Sequence, residues 1–285
     1  MGKVNTYGLE KCGFSIQKKV PPKRVVMSLM GQEGTGKNTF AFTMPKPIAL
    51  IDLEMGYERA KTDEGDEREW LIPKTIFVPP GLESATEYFE KWKEFLKALR
   101  DAFKSGVPSI VVDTATMGWQ LLRLAQFGRL TQIPPRRYGE INPVWQGLMQ
   151  EARLMSKSNV CWIHRTKEEY ATAVDPKSGK PVLNKKGDDA VQAPTGSLCR
   201  DGYGKTGFEV DVELAMYMEG GRLQGSKKWS RNAGNKEGAA VFGCEVLKNG
   251  FGTEGFLGER FEGSGICTFP FVMGQLTGTD ESRWQ

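Results

Sequence analysis

A chain of 285 residues, 39% hydrophobic and 26% charged, is long enough to bury a sizeable core and too balanced to be a disordered chain. Its net charge of +4, from 39 basic and 35 acidic side chains, neither requires nor excludes a nucleic acid partner, so local clustering has to decide that point. The scattered cysteines Cys12, Cys161, Cys199, Cys244 and Cys267 form no CxxC pair and His164 is the single histidine, which leaves a zinc site poorly supplied and suits reduced thiols.

Residues 1–24 end in the basic, proline-broken stretch Lys18 to Arg24 and read as an N-terminal extension to one domain over residues 25–285. No apolar run approaches membrane-spanning length, and Met1 to Val20 lacks a signal-peptide core, so the expectation is a cytoplasmic protein with no membrane partner. Val25 to Met30 suits a buried strand, followed by a glycine-rich loop and a helix to about Thr43. Ile48 to Asp52 reads as a second buried strand and Thr75 to Val78 as an edge or third strand. Ser84 to Ser105 is a long amphipathic helix, with Phe89, Trp92, Phe95, Leu96 and Leu99 at helical spacing. Ser109 to Asp113 is a fourth strand, helices follow over Met117–Leu130 and Val144–Lys157, and Val160 to Ile163 is a fifth strand closed by His164. Trp92, Trp119 and Trp145 lie on helical faces and belong to the core.

Strands alternating with helices imply an α/β fold on a largely parallel sheet. Beyond His164 the texture changes. Residues 170–207 are polar and read as a hairpin or mobile loop, and Val210–Met218, Ala239–Leu247 and Thr268–Val272 read as antiparallel strands extending the same sheet.

Gly31-Gln32-Glu33-Gly34-Thr35-Gly36-Lys37 matches GxxxxGK between an apolar strand and a helix, which is the setting a phosphate-binding loop requires. Its glycines let successive N–H groups turn towards phosphate oxygens, and Lys37 adds a point charge. The hydroxyl residue expected next, a magnesium ligand, is replaced by Asn38, with Thr39 one helical step further round. Asn38 holds the metal less compactly, so nucleotide binding survives the change more easily than efficient hydrolysis. Asp113, closing the apolar run Ile110-Val111-Val112, is placed to hold the metal with Asn38. Glu54, after the Ile51-Asp52 strand end, is placed to orient and deprotonate a water, and His164 is placed to sense a terminal phosphate.

The order Gly-Gln-Glu-Gly-Thr-Gly-Lys, Leu-Ile-Asp-Leu-Glu, Ile-Val-Val-Asp-Thr and a polar strand end resembles the RecA-like P-loop ATPases. It looks especially like the short phage-encoded members associated with single-strand annealing and recombination. The resemblance spans roughly residues 25 to 250 and implies ATP and Mg²⁺ as cofactors, with a bacterial or phage-infected cell as the setting. On it, Glu54 matches the catalytic glutamate and His164 the residue that couples the γ-phosphate to a DNA-binding loop. Lys248-Asn249-Gly250-Phe251-Gly252 resembles a Lys-Asn-Arg-Phe-Gly motif whose basic residues reach a neighbouring subunit's nucleotide; Gly250 replaces the arginine and only Lys248 carries over.

Two basic segments are candidates for single-stranded DNA. The first lies within residues 172–205 and includes Lys185 and Lys186; the second, 221–236, carries Lys227, Lys228 and Arg231 with Trp229 interleaved. The leading expectation is a self-associating, DNA-stimulated ATPase, as ring or filament. A DNA-translocating motor (helicase or packaging ATPase) and a non-hydrolysing nucleotide-gated module are the alternatives.

Overall fold

The computed structural model describes residues 24–60, 68–79, 84–129, 137–175, 181–182, 190–219, 240–252 and 255–285. Among them the chain order is β1 (Val26–Gly31), α1 (Lys37–Ala41), β2 (Ile48–Asp52), β3 (Leu71–Thr75), α2 (Ala85–Ser105), β4 (Ser109–Asp113), α3 (Ala115–Phe127), α4 (Tyr138–Leu154), β5 (Asn159–His164), β6 (Thr166–Thr172), β7 (Gln192–Arg200), α5 (Thr206–Glu209), β8 (Val212–Glu219), β9 (Val241–Asn249), β10 (Arg260–Glu262) and α6 (Phe269–Thr277).

Eight strands form one sheet in the order β10-β9-β8-β1-β5-β4-β2-β3. The run from β8 to β3 is parallel throughout, while β9 and β10 add antiparallel at one side. β5 inserts between β1 and β4, so the phosphate-loop strand and the Asp113 strand are not neighbours. Every residue of β4 and β5 is buried, as befits strands covered on both faces.

Alternation divides the strand side chains between two layers. Ile110, Val112, Val160 and Trp162 pack with α2, α3 and α4, whereas Val111, Cys161, Ile163 and Leu214 pack with α1 and α6. α2 starts in a capping box between Ser84 and Glu87, ends at Gly106 (φ 76°), and buries Tyr88, Trp92, Phe95, Leu99 and Phe103. Trp145 of α4 is fully buried, with ring centroids 5.9 Å from both Trp119 and Trp162. Truncating it would cost about 3–5 kcal/mol.

Several expectations are corrected here. The edge strand lies at Leu71–Thr75, four residues before the expected span, because pairing with β2 sets its register: Ile48 opposes Leu71 and Asp52 opposes Thr75. α4 begins at Tyr138 and runs through Pro143, whose missing N–H forgoes a single bond to the Gly139 carbonyl. β8 joins β1 in parallel, not antiparallel. Thr268–Val272, read as a strand, opens a helix: Thr268 is the N-cap, Pro270 sits in the first turn and Gly278 (φ 64°) caps the other end. β6 pairs antiparallel with β7 in a hairpin that starts at Thr166, four residues before the expected 170–207 segment and two beyond His164.

Candidate nucleotide-binding site

Because β1, β2, β4 and β5 are parallel, their C-terminal ends share one edge of the sheet, the usual ligand edge of such folds. Register brings Asp52 opposite Asp113, Asp113 opposite Ile163, and Met30 opposite His164. The loop after β1, the carboxylates after β2 and β4 and the histidine ending β5 therefore line one crevice.

The loop from Gly31 to Gly36 turns back on itself, with Thr35 Oγ1 donating to the Gln32 carbonyl at 2.8 Å. A Cβ on Gly31 would lie 2.6 Å from Thr35 Oγ1 and 2.7 Å from the Met216 carbonyl oxygen, so only glycine closes this turn. Gly36 is left-handed (φ 82°) at the N-cap of α1 and offers no side-chain cap. Gln32 is half-buried, Glu33 and Gly34 are exposed along the rim, and Thr39 points to solvent and does not replace Asn38.

Lys37 Nζ donates to the Gly31 and Gln32 carbonyls at 2.9 and 2.6 Å. Burial lowers its pKa, and the carboxylates of Asp113, Glu54 and Glu33 pull it back up. Asn38 Nδ2 donates to Asp113 Oδ2 at 2.8 Å. Burial pushes Asp113 up to about 6, against the lowering effect of that hydrogen bond. Asp52, raised by burial, caps the next loop: Oδ1 accepts from the Glu54 and Met55 N–H groups at 3.1 and 2.8 Å. Met55 adopts a left-handed conformation (φ 55°), so the turn that presents Glu54 is held in an unusual shape. Glu54 Oε1 receives the Thr114 hydroxyl and an ion pair from Arg165 Nε at 2.8 Å.

The donor set fits a Mg²⁺–triphosphate. Among the described residues Asn38 Oδ1 is buried with no hydrogen-bond partner, and so is Asp52 Oδ2. Among the described residues no cluster of three or more His, Cys, Asp or Glu is placed to hold a metal ion.

His164 is 1% exposed, and neither ring nitrogen makes a well-formed hydrogen bond among the described residues. Burial, then the nearby Arg200 guanidinium, hold its pKa well below the ordinary histidine value, so it is a neutral imidazole. Arg200 itself forms a buried ion pair with Glu213 of β8.

Lys248 is not at this edge. β9 runs back from it, and Lys248 Nζ donates to the Gly207 and Val210 carbonyls at 2.7 and 2.5 Å. The residue expected to serve a neighbouring subunit's nucleotide is thus tied down within its own chain. Lys185, Lys186, Lys227, Lys228, Trp229 and Arg231 lie outside the described residues. Sequence reasoning missed Arg165 and the Thr114–Glu54 contact. The signal for both was position, since each follows directly on a strand end at the ligand edge.

No curated protein matches the sequence. Among solved structures, a crystal structure of the RadB recombinase aligns over 85% of this chain and 87% of its own, at 14% identity and a TM-score of 0.43. Among the described residues no helix is long and apolar enough to cross a membrane. Residues 23–194, well over half of the chain, match the AAA domain family, and the chain, with its phosphate loop, belongs to that family.

Proposed function

We propose that this chain binds ATP with Mg²⁺ and hydrolyses it in response to single-stranded DNA, in phage-type recombination or replication, as a self-associating protein of a bacterial or phage-infected cytoplasm. The observation that carries the reading is convergence: Lys37, Asn38, Asp113, Glu54 and His164 meet at one sheet edge, and the exposed β6–β7 hairpin grows from that same edge.

The backbone of Gly31 to Thr39 and the Lys37 amine hold the phosphates. Asn38 Oδ1 and Asp113 hold the metal, directly or through its waters. When bound, Mg²⁺–ATP supplies a phosphoanhydride whose terminal phosphoryl group can pass to water. Glu54 orients that water and accepts its proton, and His164, neutral and buried, links the phosphate edge to the hairpin beyond it. Lys185, Lys186, Lys227, Lys228 and Arg231 supply backbone charge neutralisation for a single strand, with Trp229 as a stacking platform.

The test is ATP turnover with and without single-stranded DNA over a range of protein concentrations. Stimulation by DNA and a steeper than linear dependence on protein support the reading; turnover indifferent to both sinks it. One observation favours a second reading, a nucleotide-gated binder that does not hydrolyse: Glu54 Oε1 is engaged by both Thr114 and Arg165. Bound nucleotide recovered unhydrolysed after prolonged incubation with DNA would select it.

A further inference from the structure

Arg165 is the residue after His164, and since Met30 opposes His164 in the sheet, Arg165 emerges level with the start of the phosphate loop. Its backbone is pinned on both sides. The Arg165 N–H donates to Thr116 Oγ1 at 3.0 Å, and its carbonyl accepts from the Asp201 N–H at 2.9 Å. Its side chain is free to move by comparison: half exposed, it pairs with Glu54 through Nε at 2.8 Å. Its positive charge reaches the Lys37 amine and helps to lower the pKa there.

At the other place expected to carry a phosphate-directed cation, Lys248 is bonded to two carbonyls of its own chain, and a Cβ on Gly250 would lie 2.8 Å from the Asp211 carbonyl oxygen, so an arginine does not fit at position 250. Arg165 is a cation of the ligand edge that no role yet uses.

We propose that Arg165 is a phosphate-gripping residue acting within its own chain, which leaves Glu54 for the terminal phosphate of a bound nucleoside triphosphate. This rests on the nucleotide reading of the site. The exchange is favourable on general grounds. A half-exposed ion pair contributes little, ~0–1 kcal/mol, so leaving it is cheap. A guanidinium binds the oxygens of a phosphate in a fork of parallel hydrogen bonds, stronger than one bond to a single carboxylate oxygen. The pinned backbone keeps the swing short, and departure of the guanidinium frees Glu54 Oε1 for water. The proposal therefore ties discrimination between tri- and diphosphate to one side chain.

The experiment is calorimetric titration of the full chain, wild type, Arg165→Ala and Arg165→Lys, with Mg²⁺–ADP and with a non-hydrolysable Mg²⁺–ATP analogue. Arg165→Ala is expected to keep its ADP affinity and to lose on the order of tenfold in affinity for the triphosphate analogue, with Arg165→Lys recovering part of the loss. Equal loss for both nucleotides, no loss for either, or tighter triphosphate binding would each overturn the assignment, the last by showing that Arg165 serves only to restrain Glu54. Wild type that binds neither nucleotide overturns the nucleotide reading itself, and is seen before any variant is measured. Coincident thermal unfolding curves for the three proteins are expected, because the side chain is half in solvent; loss of the cooperative transition in both variants would instead assign Arg165 a structural role and overturn the proposal.

Discussion

Asn38 Nδ2 donates to Asp113 Oδ2 at 2.8 Å, and the other end of the same carboxamide, Oδ1, is buried without a partner among the described residues. The residue that breaks the usual loop pattern thus does two jobs at once. It stabilises the ionised form of a carboxylate that burial disfavours, and it keeps an acceptor pointed inward beside that carboxylate. Asn38→Ala removes both. The magnesium concentration needed for half-saturation with nucleotide at neutral pH should rise roughly tenfold, the worth of one charge-assisted hydrogen bond. A magnesium titration of nucleotide binding decides it, and coincident curves would show that Asn38 is a bystander.

Lys37 is a largely buried amine held by two carbonyls. Lys37→Ala should lower nucleotide affinity by at least ~10²-fold, since a charge-assisted contact to phosphate is lost. The melting temperature should stay within a few degrees, because no apolar core contact goes with it. Unchanged affinity would remove the phosphate-loop assignment.

Glu54→Gln keeps an oxygen for the Thr114 hydroxyl and keeps the shape of the turn set by Asp52 and Met55. Hydrolysis should fall by ~10²-fold or more while nucleotide affinity persists. A variant that turns over at the wild-type rate would make Glu54 a structural carboxylate that anchors Arg165 and nothing more.

The Arg200–Glu213 pair ties the return strand of the hairpin to β8 beside His164. Both side chains are about nine-tenths buried, so Arg200→Met should cost about 3–5 kcal/mol by leaving Glu213 unpaired. The double replacement Arg200→Met with Glu213→Leu should recover most of that. Removing the guanidinium should also move the His164 titration upwards towards its ordinary range, readable from the ring proton signals of the single histidine. Additive losses in the double variant would show that the pair is not coupled.

What the sequence made legible was whatever depends on short-range pattern. The phosphate loop, the buried runs of β1, β4 and β5 and the Ser84 start of α2 are each written in contiguous residues. β3 was misplaced because only its pairing with β2 distinguishes Leu71–Thr75 from the equally strand-like residues after it. The Thr268–Val272 run is too short for periodicity to separate strand from helix, and the proline at 270 and glycine at 278 decide it once the packing is visible. Arg165 and Lys248 were illegible for a different reason. What each side chain touches, Glu54 in one case and the Gly207 and Val210 carbonyls in the other, is brought to it only by strand order.

Asp113 also sets a pH dependence of stability with a definite sign. Its carboxyl is pushed up to about 6 from the ordinary 3.8, chiefly by burial, so the folded protein holds this proton over a range where the unfolded chain has released it. For such a group the folded state is favoured below pH 3.8; the advantage is lost as pH rises from there to about 6, and the penalty is constant above. The gap corresponds to at most about 3 kcal/mol. Asp52, also raised by burial, contributes in the same direction, so wild type alone does not isolate the effect. The comparison that does is urea unfolding of nucleotide-free wild type and Asp113→Asn between pH 4 and pH 7. The asparagine variant cannot ionise, so its stability relative to wild type should climb with pH by up to that amount and level off above about 6. Mg²⁺ and nucleotide should flatten the wild-type curve, because a cation beside Asp113 favours its ionised form and draws the titration back down. A difference between the two proteins that does not change with pH would mean that Asp113 ionises at its ordinary value, and that the crevice is wetter than its burial implies.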